Sequence, residues 1–266
     1  MRSSRDPHAG SGSRWHGCWG ATVVVASRSD ADVADAVDRL REEGISAVGR
    51  RCDTAEWADV EALRDLALEQ GTLDIWVNNA GGAGVYEPTA STPVADFERV
   101  LRTNILGTFH GSRAALPVFL AQGHGDLVNV YGHGDRGPVP LQNAYAASKR
   151  WARQFTETLR AETKGTGVRV HGVNPGLVIT DLLGRVTAQP GHERRLAALP
   201  VVVALWGQEP DVAARPLLRL VTSHAPEFRD LRPVTMVTRG VRNAVTGRLR
   251  RSNRMPLDVT VLETGR

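Results

Sequence analysis

The chain has 266 residues and a mass of 28.8 kDa, enough for one α/β domain with a sizeable core. Its 41% hydrophobic and 23% charged content is ordinary for a globular protein, and no apolar run reaches the roughly eighteen residues a membrane-spanning helix needs. The formal charge of +4 and the pI near 9.6 come from arginines scattered along the chain, which argues against a nucleic-acid partner.

Residues 1–20, rich in Ser, Gly, Arg and His, lack the apolar centre of a secretory signal and predict an irregular tail. One domain is expected over 21–266. Order begins at Ala21–Ala26, a β-branched run suited to a buried parallel strand. Ala31–Glu43 predicts a helix ended by Gly44, followed by a strand at Ile45–Val48 and a second helix over Ala55–Gln70, ended by Gly71. Leu73–Val77 predicts a strand, and Thr92-Pro93 opens a long helical region with Thr as its cap. Then come a strand at Asp126–Val130, a helix over Asn143–Lys164 and a strand at Val168–Val173. An insertion of loop and helix is expected within 177–208 and a helix over Glu209–Thr222. The segment 232–266 departs in character. Arg232–Thr238 predicts a last strand and Arg239–Arg251 a basic, weakly amphipathic helix that could lie on an anionic membrane surface or cover part of the domain. Strands alternating with long helices predict a Rossmann-like, doubly wound parallel sheet with helices on both faces.

Two cysteines, Cys18 and Cys52, match neither a disulfide framework nor zinc-ligand spacing, so no metal is expected and a reducing cytoplasm is the expected setting. The strongest chemical signal is Tyr145-Ala-Ala-Ser-Lys149. Residues four apart share a helical face, so the phenol and the ammonium point the same way. A neighbouring ammonium should lower the phenol pKa and suit Tyr145 to proton transfer with a carbonyl or alcohol. Asn78-Asn79-Ala80-Gly81 follows one strand and Pro175-Gly176 follows a later one, with Thr180 four residues beyond. In a doubly wound sheet the carboxyl ends of the strands face the ligand crevice.

These segments, together with Gly20–Arg28, Cys52-Asp53-Thr54 and Thr103-Asn104, resemble the short-chain dehydrogenase/reductase family over about residues 20–222. The resemblance implies Tyr145 as catalytic acid/base, Lys149 as its partner and ribose ligand, and Asn104 as anchor of a proton-relay water. It implies Asp53 against an adenine and Asn78, Ala80 and Gly81 along an adenosine. Pro175, Gly176, Val178 and Thr180 would then lie beside the nicotinamide half. Ser27-Arg28, with no carboxylate before Asp30, favours NADP(H) over NAD(H). The substrate expected is a small, fairly hydrophobic molecule. Dimers or tetramers are common in the family, so a homo-oligomer is expected as well.

Two departures stand against this pattern. The family opens with a strand and a glycine-rich turn that binds pyrophosphate, about thirty residues before the segment matching Gly20, whereas nineteen residues precede Gly20 here. Gly10, Gly12 and Gly17 echo that turn at the wrong spacing. The expected strand belongs at the centre of the sheet, and its loss would leave backbone groups unpaired there. A frameshifted or misplaced start, or a decayed copy, is the reading this suggests. The second departure lies thirteen positions before Tyr145, where the family's catalytic serine is replaced by Gly132. The stretch Asn129–Gly137 is similar to the glycine-rich variant of chlorophyll b reductases and their bacterial relatives, as are Asp74-Ile-Trp76, the segment 175–183 and the segment 250–254. A carbonyl/alcohol oxidoreductase and a catalytically impaired homologue both remain open at this point.

Overall fold

The computed structural model describes residues 21–180, 185–230, 232–246 and 258–261. The expected tail over 1–20, with its echoing glycines, and the matching segment 250–254 lie outside the described residues.

The first half alternates strictly: β1 (Val23–Ser27), α1 (Asp30–Glu42), β2 (Ala47–Arg51), α2 (Trp57–Glu69) and β3 (Ile75–Asn78). Helix α1 shows why these elements form. Ser29 caps it by accepting from the Asp32 N–H, Asp30 and Asp32 sit in its first turn, and Arg39 and Arg41 sit in its last. Each charge complements the helix dipole. Val33, Val37 and Leu40 recur on one face and pack with Val23 and Ala47. Gly44 takes the left-handed φ of 78° that ends the helix.

A short β4 (Val85–Tyr86) leads to α3 (Val94–Leu101), a π-helical turn over Arg102–Leu106, and α4 (Gly107–Gln122). Then follow β5 (Gly125–Val130), α5 (Asn143–Glu162) and β6 (Val168–Asn174). In β5 successive side chains point to opposite faces. Leu127 packs with α2, α4 and α5, while Val128 packs on the other side with Leu217, Leu220 and Val221 of α7 (Pro210–Ser223). Helices therefore cover both faces, as the alternation of elements predicts. Thr92 is not a helix cap, because its hydroxyl donates to Pro88 O at 3.0 Å and Pro93 takes the cap position.

Among the described residues the sheet is parallel but divided. β3-β5-β6-β8, with β8 at Glu227–Arg229, forms one four-stranded unit, and β1-β2 forms a separate pair. Among the described residues β1 bonds only β2, and β3 bonds only β5. The pair is tied to the rest through packing: Val24 and Cys52 join the cluster around Trp76, Phe119 and Leu127.

The later region holds elements the sequence pattern did not suggest. β7 (Arg185–Ala188) pairs with both β4 and β9 (Asp258–Val261), making a second parallel sheet of three strands. The expected strand Arg232–Thr238 is instead the start of α8 (Pro233–Val245). Pro233 suits a first helical turn, the Thr235 hydroxyl accepts the Arg232 N–H at 2.8 Å, and the helix packs on α6 (Leu199–Trp206). Local helix-start chemistry and tertiary packing outweigh the β-branched composition.

Candidate active site

The ends of β3, β5 and β6 converge on the first turns of α5. Asn104 is the joint. Its Oδ1 accepts the Gly82 N–H at 2.8 Å, and its Nδ2 donates to Gly82 O at 3.0 Å and to Ser148 Oγ at 2.9 Å. Ser148 Oγ in turn donates to Tyr145 O at 2.7 Å. The π-helical turn supplies the reach. An extra residue per turn displaces Asn104 from the α-helical register, a device common at functional sites.

Lys149 is buried, and its Nζ donates to Val130 O at 3.2 Å while standing 5.7 Å from the centre of the Tyr145 ring. The sequence expectation that the ammonium lowers the phenol pKa is not what this geometry produces. Burial pushes Tyr145 up to about 12, assisted by Tyr86 and Asp135, and burial pushes Lys149 down to about 8. Desolvation disfavours the charged form of each group, and the ammonium bonds a backbone carbonyl rather than the phenol.

Gly132 lies directly against the phenol. A Cβ at this position would stand 2.3 Å from the Tyr145 hydroxyl and 3.3 Å from Lys149 Cε, so the side chain the resemblance expects here has no room beside Tyr145 as placed. The loop is held from below. Asn174 Nδ2 donates to Gly132 O at 3.2 Å and to Asp135 Oδ1 at 3.1 Å, while Arg229 donates to Asp135 Oδ2 at 2.7 Å. Asp135, 1% exposed, is the pin of this loop. His133 beside Gly132 is exposed, as a glycine-flanked loop histidine usually is.

The remaining sequence-derived residues fall into two groups. Ser27 ends β1, Arg28 is exposed just beyond it, and Asp53 follows β2 with its Oδ1 accepting from the Ala55 N–H at 3.0 Å. Asn78 turns inward. Its Nδ2 donates to Asn129 Oδ1 at 2.8 Å and Ser112 Oγ at 3.0 Å, and its Oδ1 accepts from Trp76 Nε1 at 2.9 Å. Ala80 is exposed on the loop that leads to half-buried Gly81. Past β6, Gly176 adopts φ 76° and donates its N–H to Asn174 Oδ1 at 3.1 Å. Gln208 Nε2 donates to Pro175 O at 2.6 Å, and Val178 bridges to Gln208, leaving Thr180 half-buried nearby in sequence. Sequence reasoning missed Gly82, Ser148, Asp135 and Asn174 as supports. Ser148 beside Lys149, Asp135 within Asn129–Gly137 and Asn174 before Pro175-Gly176 carried a local signal, whereas Gly82 did not.

A nicotinamide dinucleotide can be tested against these residues at Gly81. A Cβ there would lie 3.4 Å from Lys149 Nζ and 3.5 Å from Asn104 Oδ1, so the glycine keeps backbone-sized clearance beside two polar groups. The Lys149 ammonium and the Asn104 amide beside it are groups of the kind that would bond a ribose hydroxyl or an amide. No glycine-rich turn opening a helix occurs among the described residues, so the fit is carried by the nucleoside ends.

Residues 18–191 match the family model described as short chain dehydrogenase. The chain is 37% identical over 209 residues to the chlorophyll(ide) b reductase NOL, chloroplastic, of Arabidopsis thaliana, a match covering 74% of this chain and 60% of that protein. It is 31% identical over 195 residues to glucose 1-dehydrogenase 2 of Bacillus subtilis, covering 72% of this chain and 75% of that one. Among solved structures, a short chain dehydrogenase/reductase from Burkholderia phymatum in complex with NAD superposes with a TM-score of 0.71 at 26% identity, over 84% of each chain.

Proposed function

Because this chain belongs to the short-chain dehydrogenase family, we propose that it is an NAD(P)-dependent oxidoreductase interconverting a carbonyl and an alcohol on a small, fairly hydrophobic substrate. The observation that carries the reading is the convergence of Tyr145, Lys149 and Asn104 around Gly81 and Gly132. A bound nicotinamide supplies the hydride donor or acceptor.

This chain's own groups handle the proton. Tyr145, protonated at neutral pH and pushed up to about 12 by burial, gives its hydroxyl proton to a carbonyl oxygen in the reductive direction. Lys149, pushed down to about 8, can exchange a proton near neutral pH. Asn104 holds the Gly82 backbone and Ser148 in one arrangement, which keeps Tyr145 and Lys149 in place. Lys149, Pro175, Gly176, Val178 and Thr180 would hold the nicotinamide half, and Ser27, Arg28, Asp53, Asn78, Ala80 and Gly81 the adenosine half. NADP(H) is the favoured form, because the exposed Arg28 guanidinium stands at the end of β1 where an added phosphate would need a cation. The NAD in the Burkholderia structure leaves this preference resting on Ser27-Arg28.

A homo-oligomer joined through α4 and α5 is the assembly proposed, and the 39% exposed Phe109 of α4 is an apolar side chain available to it. The expected cytoplasmic setting rests on composition, whereas the Arabidopsis relative is named as chloroplastic.

A second reading, a homologue that no longer turns over, draws on the divided sheet and on Gly132 in place of a hydroxyl. The two readings part on one substitution. In a screen of hydrophobic aldehydes and ketones with NADPH, Tyr145→Phe should reduce turnover at least about 100-fold while leaving the melting temperature near that of the parent. Equal turnover by the two proteins removes Tyr145 from proton transfer.

A further inference from the structure

Helix α8 has two unlike faces. Inward, Arg239 bonds Asp230 through both carboxylate oxygens, Asn243 Nδ2 donates to Leu205 O at 2.8 Å, and Trp206 Nε1 donates to Met236 O at 2.9 Å. These contacts fix the helix against α6 and leave its opposite face outward. That face carries Val234, Val237, Val241 and Val245, exposed by 73%, 66%, 60% and 82%. Their spacing of three, four and four residues makes a single stripe. Four branched apolar side chains in a row on a solvent face are not explained by packing within this chain's described residues.

Charge gives the second observation. Between positions 231 and 257 the sequence has seven arginines and no aspartate or glutamate. Two of them, Arg232 and Arg242, are exposed at opposite ends of the helix. The flanking carboxylate Asp230 is already paired to Arg239.

We propose that the valine face of α8 docks on an anionic lipid bilayer surface. An apolar stripe flanked by arginines is the pattern of a helix lying in a membrane interface, with the side chains in the acyl boundary and the guanidinium groups among the headgroups. The stripe is about 16 Å long at 1.5 Å per residue and one side chain wide, too small for the roughly 800 Å² per partner that stable protein pairs bury. Pairing with a second copy would also bring Arg232 and Arg242 against their own kind. The proposal does not depend on the catalytic reading.

The test is co-sedimentation of the full chain with vesicles of equal parts phosphatidylglycerol and phosphatidylcholine, and with phosphatidylcholine alone. The chain should pellet with the anionic vesicles, release as salt rises, and stay in solution with the zwitterionic ones. The double variant V237D/V241D should lower anionic-vesicle binding at least about tenfold. Its melting temperature should stay near that of the parent, because both side chains point outward. No pelleting with anionic vesicles overturns the proposal, as does pelleting that the double variant leaves unchanged. A variant that alters the oligomer size in light scattering, in a parent that ignores vesicles, assigns the stripe to a second copy instead.

Discussion

Gly132 and Tyr145 form one unit at the scale of single residues. Sequence spacing locates Gly132 where the family resemblance expects a serine, and the structure gives the glycine a reason: its α-carbon backs onto the phenol oxygen. Restoring the serine should therefore not rescue activity. Gly132→Ser should lower turnover about tenfold or more, and destabilise the fold by about 1–3 kcal/mol through overpacking. Turnover by this variant above the parent would show that the phenol sits elsewhere during catalysis. Tyr145, Lys149 and Asn104 stood out in the sequence because each sits in a short motif, and the fold brings the three close together. The direction of the Tyr145 pKa did not, because it depends on burial and, after it, on the electrostatic influence of Tyr86 and Asp135, one of them far off in sequence. Asn78 teaches the same lesson. Its position after β3 was visible, but only the fold shows its amide committed to Asn129 and Ser112.

At the scale of elements, the long helices and the β3, β5 and β6 strands were legible because their apolar periodicity and their glycine stops are local. What escaped is structure made by distant pairing. β4, β7 and β9 are short strands from three parts of the chain, and although β9 is β-branched, no local pattern announces which strands pair. The start of α8 was misread because Val and Thr favour strands on average, while Pro233 and the Thr235 hydroxyl set the local outcome. The π-helical turn had no sequence mark, yet it is what lets Asn104 join Gly82 to α5. Asn104→Ala should leave the half-buried Gly82 N–H and C=O and the buried Ser148 hydroxyl without their partner, costing about 1–3 kcal/mol in denaturant unfolding. Turnover should fall with it, since the loop before β4 and the first turn of α5 lose their link. A variant as stable as the parent would mean that Asn104 does not hold this junction.

For the whole molecule, the issue is whether two sheet units act as one site. The carboxyl ends of β1 and β2 carry Ser27, Arg28 and Asp53, and those of β3, β5 and β6 lead into the loops of Gly81, Gly132 and Asn174 beside Tyr145 and Lys149 of α5. Among the described residues β3 is the end strand of its unit, and its Val77 is 40% exposed. The units are joined by side-chain packing: Val24 and Cys52 enter the central cluster, and the Thr54 carbonyl lies 3.0 Å from His110 Nδ1 on α4. A dinucleotide bound across both units would draw on all five strand ends. Nicotinamide fluorescence during titration of the purified chain with NADPH and NADH tests this directly. The account predicts saturable binding in the roughly micromolar range, about tenfold tighter for NADPH. A folded sample that binds neither would contradict it.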